Sequence, residues 1–194
     1  MLQKQAKTLS AGQIRALESH LKTTRHPVRN RVVFLLSLRA GLRAKEIASL
    51  TWSMVTDAEG NLANAISLTD AAAKGRSGGT VPMAKELREA FEALRKISPN
   101  PAGPTAVVQT ERSGGTSAQV IVNMFRDWYR ELGFEGCSSH SGRRTFITMT
   151  ARNIGRYGGS LRDVQALARH SSLALTQRYI EIDSEAMKKV VDGW

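Results

Sequence analysis

At 194 residues the chain is long enough for one domain with a real core. It has no apolar run near the roughly 18 residues of a membrane span, its N-terminal MLQKQAKTLS lacks the apolar segment of a secretory signal, and its one cysteine, Cys137, rules out an intrachain disulfide or a Cys-rich zinc site. The formal net charge of +11 is segregated: residues 1–45 carry ten Lys or Arg against Glu18 alone, and residues 138–180 carry seven Arg against Asp163 alone, a footprint suited to a polyanion such as nucleic acid.

In chain order, LSAGQIRALESHLK (9–22) reads as a helix capped by Ser10, with Ile14, Leu17 and Leu21 on one stripe. PVRNRVVFLLSLRAG (27–41) opens with Pro27 at a helix start and closes at Gly41, a residue suited to the position just past a helix end. AKEIASLTW (44–52) predicts a short helix with Ile47 and Leu50 inward. NLANAISLT (61–69) and GGTVPM (78–83) read as strands around a polar turn holding Lys74 and Gly75. AKELREAFEALRKI (84–97) is strongly periodic, NPAGPT (100–105) is a loop, and AVVQT is a candidate strand. SAQVIVNMFRDWYRELG (117–133), SGRRTFITMTARNIG (141–155), LRDVQALARH (161–170) and LALTQRYIEI (173–182) read as helices, and the tail SEAMKKVVDGW (184–194) as a short one. The expected fold is mainly α with one small antiparallel β-sheet, an α+β class, in a single domain over 1–194 with its core at about 8–185.

Arginine outnumbers lysine 19 to 9, and its planar fork suits phosphate oxygens. Arg43 lies between two helices, where it can reach a phosphate at a helix start or simply pair with Glu46 three residues on. Lys74 sits in AAAKGRSGGTVP, which is not a phosphate-binding P-loop; it is either a solvated hairpin lysine or a proton donor to a cleft. His140 and Arg143, three apart at a helix start, share a face. His140 has no ligand partners at metal spacing. His170 closes a helix, where a histidine often only meets the helix dipole. Tyr179 taken alone is an ordinary half-buried packing residue.

As an ordered set these residues carry a resemblance. GLRAKE, KGRSGGTVP, HSGR and HSSLALTQRY resemble, in order and spacing, the motifs of the tyrosine recombinases, the phage-integrase family. The resemblance covers about residues 8–185. It implies the catalytic-domain fold of that family and a site of Arg43, Lys74, His140, Arg143, His170 and Tyr179. In that reading Tyr179 attacks a DNA phosphodiester and forms a 3′-phosphotyrosine. Arg43, Arg143 and His170 hold the phosphate, His140 assists proton transfer or orients the site, and Lys74 protonates the departing 5′-oxygen. Arg144 is the rival to Arg143 for the phosphate, and spacing from His140 favours Arg143. Arg76, Arg144, Arg169 and Arg178 are expected to contact DNA. No cofactor or metal is expected.

The implied partner is double-stranded DNA, bound by a homotetramer assembled from free monomers, with no membrane involvement. The chain reads as a stand-alone catalytic domain, without the N-terminal helical domain common in the family. Three positions depart from the family pattern: Arg169 stands where a glycine is usual, Gly142 where leucine is common, and IEID follows the tyrosine. Two other readings use the same features, a DNA-binding regulator of this fold without strand cleavage and a type IB topoisomerase that relaxes DNA.

Overall fold

The structure, a computed structural model, describes residues 5–73, 78–111, 113–180 and 191–192. Eight α-helices and one two-stranded sheet are found among them: α1 Ala11–Thr23, α2 Pro27–Arg39, α3 Ala44–Ala48, β1 Ala65–Leu68, β2 Gly79–Pro82, α4 Lys85–Ile97, α5 Ala118–Glu131, α6 Ser141–Asn153, α7 Leu161–Ala168 and α8 Leu173–Gln177. Single turns of tighter helix lie at Trp52–Met54 and Ile154–Tyr157. The mainly helical α+β expectation matches this architecture. The Lys74 turn and residues 184–190 and 193–194 of the expected tail helix lie outside the described residues.

Ser10 caps α1 reciprocally: its hydroxyl accepts from the Gln13 N–H at 3.2 Å, and the Gln13 side chain accepts from the Ser10 N–H at 3.0 Å. Helix α2 has no exposed stripe across its centre, because every residue from Val32 to Leu38 is buried. A helix apolar all round belongs inside a bundle, and α2 is packed by α1, α4 and α6. Helix α4 shows the opposite pattern. Leu87, Ala90, Phe91 and Leu94 recur on one face and are buried, while the rest is polar apart from Ala93 and the exposed Ile97. Strands β1 and β2 pair antiparallel, Ala65 opposite Pro82 and Leu68 opposite Gly79. Ile66, Leu68 and Val81 turn into the core.

The AVVQT segment forms no strand. Ala106 makes one isolated bridge to Thr51, and Val107 donates to the Leu50 carbonyl at 2.9 Å. Val107 and Val108 are buried, so their β-branched, apolar character serves the core of a connecting loop. A second, smaller apolar cluster of Ile147, Val164 and Ala168 underlies α6–α8, with Phe146 and Tyr179 packed against it.

Two glycines set how closely the elements approach. Gly41 has φ +62, and a Cβ there would lie 2.5 Å from the Phe146 ring. A Cβ on Gly142 would lie 2.5 Å from Ser37 Oγ and 3.3 Å from the Ser37 carbonyl carbon, at the crossing of α2 and α6. The leucine common at this position in the resembled family has no room here. Gly142→Leu is therefore expected to destabilise by about 1–3 kcal/mol or more. A lowered urea midpoint at unchanged slope is the expected result.

Candidate active site

The site begins where α2 ends. Gly41 turns the chain, Leu42 is buried and donates to the Leu36 carbonyl at 3.0 Å, and Arg43 precedes α3 in an extended conformation. Glu46, in the first turn of α3, is completely buried. Its Oε2 accepts from the Arg43 backbone N–H at 2.8 Å and its Oε1 from Arg43 Nη1 at 2.8 Å. The GLRAKE motif is thus a closed turn with a carboxylate inside it.

The second segment is the start of α6. Ser141 donates its N–H to the Ser138 carbonyl at 2.8 Å, and Ser138 donates its N–H to Ser141 Oγ at 3.0 Å. This tight turn exposes His140 at the head of the helix and sends Arg143 inward. Arg143 is only 3% exposed. Its Nη1 donates to the Gly41 carbonyl and its Nη2 to the Ala168 carbonyl, the latter at 2.6 Å. One guanidinium therefore joins the end of α2 to the end of α7. Burial, with help from Arg43 and Arg169, lowers its pKa to about 10, Glu46 acting the other way; it remains a cation at neutral pH. Arg144, next along, donates to the Gln5 side chain.

The third segment follows α7. Arg169 adopts φ 53 and ψ 47, and no other non-glycine described residue has positive φ. Left-handed backbone costs a non-glycine residue roughly 1–2 kcal/mol, which explains why glycine suits this position. The turn brings His170 back toward α8, where its Nδ1 lies 2.9 Å from Thr176 Oγ1. Thr176 is fully buried. The Tyr179 ring stacks on the His170 ring with centroids 5.3 Å apart at 28°. Tyr179 is anchored through its backbone as well: its N–H donates to the Thr176 carbonyl at 3.0 Å and its carbonyl accepts from Thr148 Oγ1 at 3.1 Å. Burial, then the charges of Arg143, Arg43 and Arg169, lower the His170 pKa to about 4, so the ring is neutral at physiological pH.

These segments share one cleft of about 550 Å³, lined by Arg43, His140, Arg143, Arg144, His170, Arg178 and Tyr179. Seven of the ten residues expected from the sequence meet there. Lys74 and Arg76 lie outside the described residues. Arg169 is not among the residues that line the cleft. Its side chain is 4% exposed, with Nη2 2.6 Å from Glu46 Oε2.

Two residues of the site were not expected from their sequence positions. Glu46 was legible only as a local partner of Arg43, and its tie to Arg169 crosses 123 positions. Thr176 carries a weak signal, a hydroxyl three residues before the tyrosine. Burial by itself raises the Glu46 pKa, but Arg169 and Arg43 outweigh it and hold the carboxyl below its ordinary range. Among the described residues, no three His, Cys, Asp or Glu side chains gather in a metal-binding group, and no helix is long and apolar enough to cross a membrane. The chemistry available is clear. Forked cations line a cleft fit for a tetrahedral oxyanion, beside a neutral imidazole and a phenol.

A family model described as the phage integrase family matches residues 7–186. The tyrosine recombinase XerC of Rhizobium meliloti (strain 1021) is 27% identical over 166 residues, covering 84% of this chain and 49% of that protein. The tyrosine recombinase XerA of Thermococcus onnurineus (strain NA1) is 27% identical over 184 residues, covering 94% of this chain and 61% of that protein. The chain thus spans about half the length of the XerC relative and somewhat more of the XerA one. In fold it matches the crystal structure of XerA recombinase with TM-score 0.72 at 21% identity, over 100% of this chain and 65% of that one. It also matches the XerH site-specific recombinase bound to palindromic difH substrate, with TM-score 0.71 at 15% identity, over 95% of this chain and 51% of that one.

Two outcomes follow from the buried charges. Glu46→Ala leaves Arg169 buried without its partner and is expected to destabilise by about 3–5 kcal/mol, read from equilibrium unfolding. The depressed His170 pKa stabilises the fold fully above the ordinary value of about 6.5, and this contribution is lost as pH falls toward about 4. Ring-proton NMR should show one of the four histidines titrating near pH 4 and losing that behaviour in His170→Gln.

Proposed function

The chain belongs to the phage integrase family, and from that premise we propose that it is the catalytic unit of a site-specific DNA recombinase, cleaving and rejoining strands through a covalent phosphotyrosine. The observation that carries this reading is the convergence of Arg43, Arg143, His170 and Tyr179, from separate segments, on one cleft.

In this reading the Tyr179 phenolic oxygen attacks the scissile phosphorus. The new phosphorus–oxygen bond forms as the bond to the 5′-oxygen breaks, leaving a 3′-phosphotyrosyl enzyme and a free 5′-hydroxyl. The phosphoester bond is exchanged rather than hydrolysed, so rejoining needs no ATP. Negative charge grows on the non-bridging oxygens. Arg143 has five N–H donors, of which two serve the Gly41 and Ala168 carbonyls, and its side chain lines the cleft. Arg43 spends one side-chain donor on Glu46 and lines the same cleft. Both are held before substrate arrives, the condition under which such donors act most strongly.

His170 serves as a neutral donor. When its Nδ1 accepts from the Thr176 hydroxyl, its proton sits on Nε2 and is available to a phosphate oxygen. A neutral ring adds a hydrogen bond without a further positive charge to repel the arginines. His140, exposed at the head of α6, assists removal of the phenolic proton or orients the site. Lys74 delivers the proton to the leaving 5′-oxygen. Arg144 and Arg178, on the cleft rim, and Arg76 contact the DNA backbone. The substrate is double-stranded DNA, on which four copies assemble from free monomers, in the cytoplasm. The basic charge of the chain and its segregation support a polyanionic partner.

A nicked suicide duplex tests the reading. A denaturation-resistant protein–DNA adduct should form with the wild type and vanish in Tyr179→Phe. Arg43→Ala or Arg143→Ala should slow its formation by about 10²–10³-fold. Tight duplex binding without any adduct would instead establish a regulator of this fold. Site-independent relaxation of supercoiled DNA would establish a topoisomerase.

A further inference from the structure

Glu46 is shared by two arginines from opposite ends of the chain. Its Oε1 takes Arg43 Nη1 at 2.8 Å. Its Oε2 takes the Arg43 backbone N–H at 2.8 Å and Arg169 Nη2 at 2.6 Å. Arginine and carboxylate prefer a two-pronged fork, with both oxygens engaged by one guanidinium. Here the Arg43 guanidinium has one prong only, because the second oxygen already accepts from both the Arg43 backbone N–H and Arg169.

We infer that Arg169 is a positioning residue: by holding Glu46 Oε2, it keeps the Arg43 guanidinium bound to Glu46 through a single nitrogen and leaves the rest of that fork for the cleft anion. The inference rests on the phosphate-binding role proposed for Arg43. Without Arg169, Oε2 keeps only the Arg43 backbone N–H, and the lone pair set free lets the Arg43 guanidinium close a full fork on Glu46, withdrawing from the cleft.

The charge balance acts in the same direction. Arg43, Arg143 and Arg169 are three cations around the one carboxylate of Glu46, which leaves two net positive charges beside the cleft. Removing Arg169 leaves one. A space-filling role does not account for this residue. Its backbone occupies the left-handed region, where glycine is the least strained choice. Its stem runs beside β2, with Cδ 3.6 Å and Cγ 4.0 Å from where a Cβ on Gly79 would stand. Its Nε and Nη1 are buried with no hydrogen-bond partner among the described residues, so among them the grip on Glu46 through Nη2 is the polar contact that its side chain makes.

The test compares wild type with Arg169→Gly, Arg169→Met and Arg169→Lys. Inorganic phosphate is titrated while the Arg43 and Arg143 side-chain N–H signals are followed by NMR. Glycine relieves the backbone and methionine keeps the stem, so thermal melts of the two separate folding from positioning. Both variants should bind phosphate on the order of 5- to 10-fold more weakly, from the loss of one nearby charge. Lysine, which keeps the charge, should stay within about twofold. A purely structural arginine predicts the reverse for glycine: relief of strain and phosphate binding at least as tight as wild type. That result, or no phosphate binding by wild type at tens of millimolar, overturns the inference. Adduct formation on the suicide duplex should fall in the same order, at saturating DNA and with little change in duplex affinity. A wild type that makes no adduct removes the recombinase reading, while the phosphate comparison still decides the role of Arg169.

Discussion

A single buried carboxylate organises this protein. Glu46 has no exposure to solvent, and an ionised carboxylate in such a place is tolerated only when cations and N–H groups surround it. Arg43 and Arg169 meet that demand from positions 126 residues apart. The carboxylate in turn fixes both guanidiniums. The pairing that answers a desolvation problem is therefore the pairing that aims Arg43 at the cleft. A surface arginine in the same turn would sample many rotamers and hold no fixed position toward a phosphate.

Arg143 applies the same logic to the backbone. The ends of helices leave carbonyl groups without partners, and two such carbonyls, of Gly41 and Ala168, converge on its guanidinium. Each supplies partial negative charge to a buried cation. The α2 end, the α6 start and the α7 end are thereby drawn to one point. Gly41 and Gly142 permit this approach, because a side chain at either would strike Phe146 or Ser37. Packing and electrostatics are inseparable here: without the glycines the helices stand apart, and without the arginine the helix ends lie buried unsatisfied.

The cluster of cations has a second effect, on His170. Their charge and the burial of the ring keep it neutral, and its contacts with Thr176 and Tyr179 keep it oriented. The tyrosine stands on the edge of the small apolar cluster under α6–α8, anchored by its backbone to Thr148 and Thr176. Arg143 thus stands on α6, while Arg43, His170 and Tyr179 stand in turns beside α3, α7 and α8 and are held there by hydrogen bonds and ring contact.

Much of this was legible in the residues themselves. Ser10, Pro27 and Gly41 mark helix ends through local chemistry, and the helical and strand periodicities mark the α+β class, since caps and repeats act over a few residues. The spacing of GLRAKE, HSGR and HSSLALTQRY carried the family and five cleft residues. AVVQT misled because β-branched residues suit any apolar interior, and whether a partner edge lies alongside is not a local property. The pairing of Arg169 was hidden for a related reason. Its charge is legible in the sequence, but whether a guanidinium meets solvent or a buried carboxylate depends on what the fold places opposite it. Sequence by itself determined most of the helices, the fold class and the order of the candidate site residues, because those follow from short-range sterics and spacing, whereas α8 stops at Gln177, short of Tyr179 and of the helix expected over 173–182. Only the tertiary structure decided that Arg169 faces Glu46 inward, that Arg143 clasps two helix ends and that His170 is neutral, because burial and charge pairing are set by contacts between residues far apart in the chain.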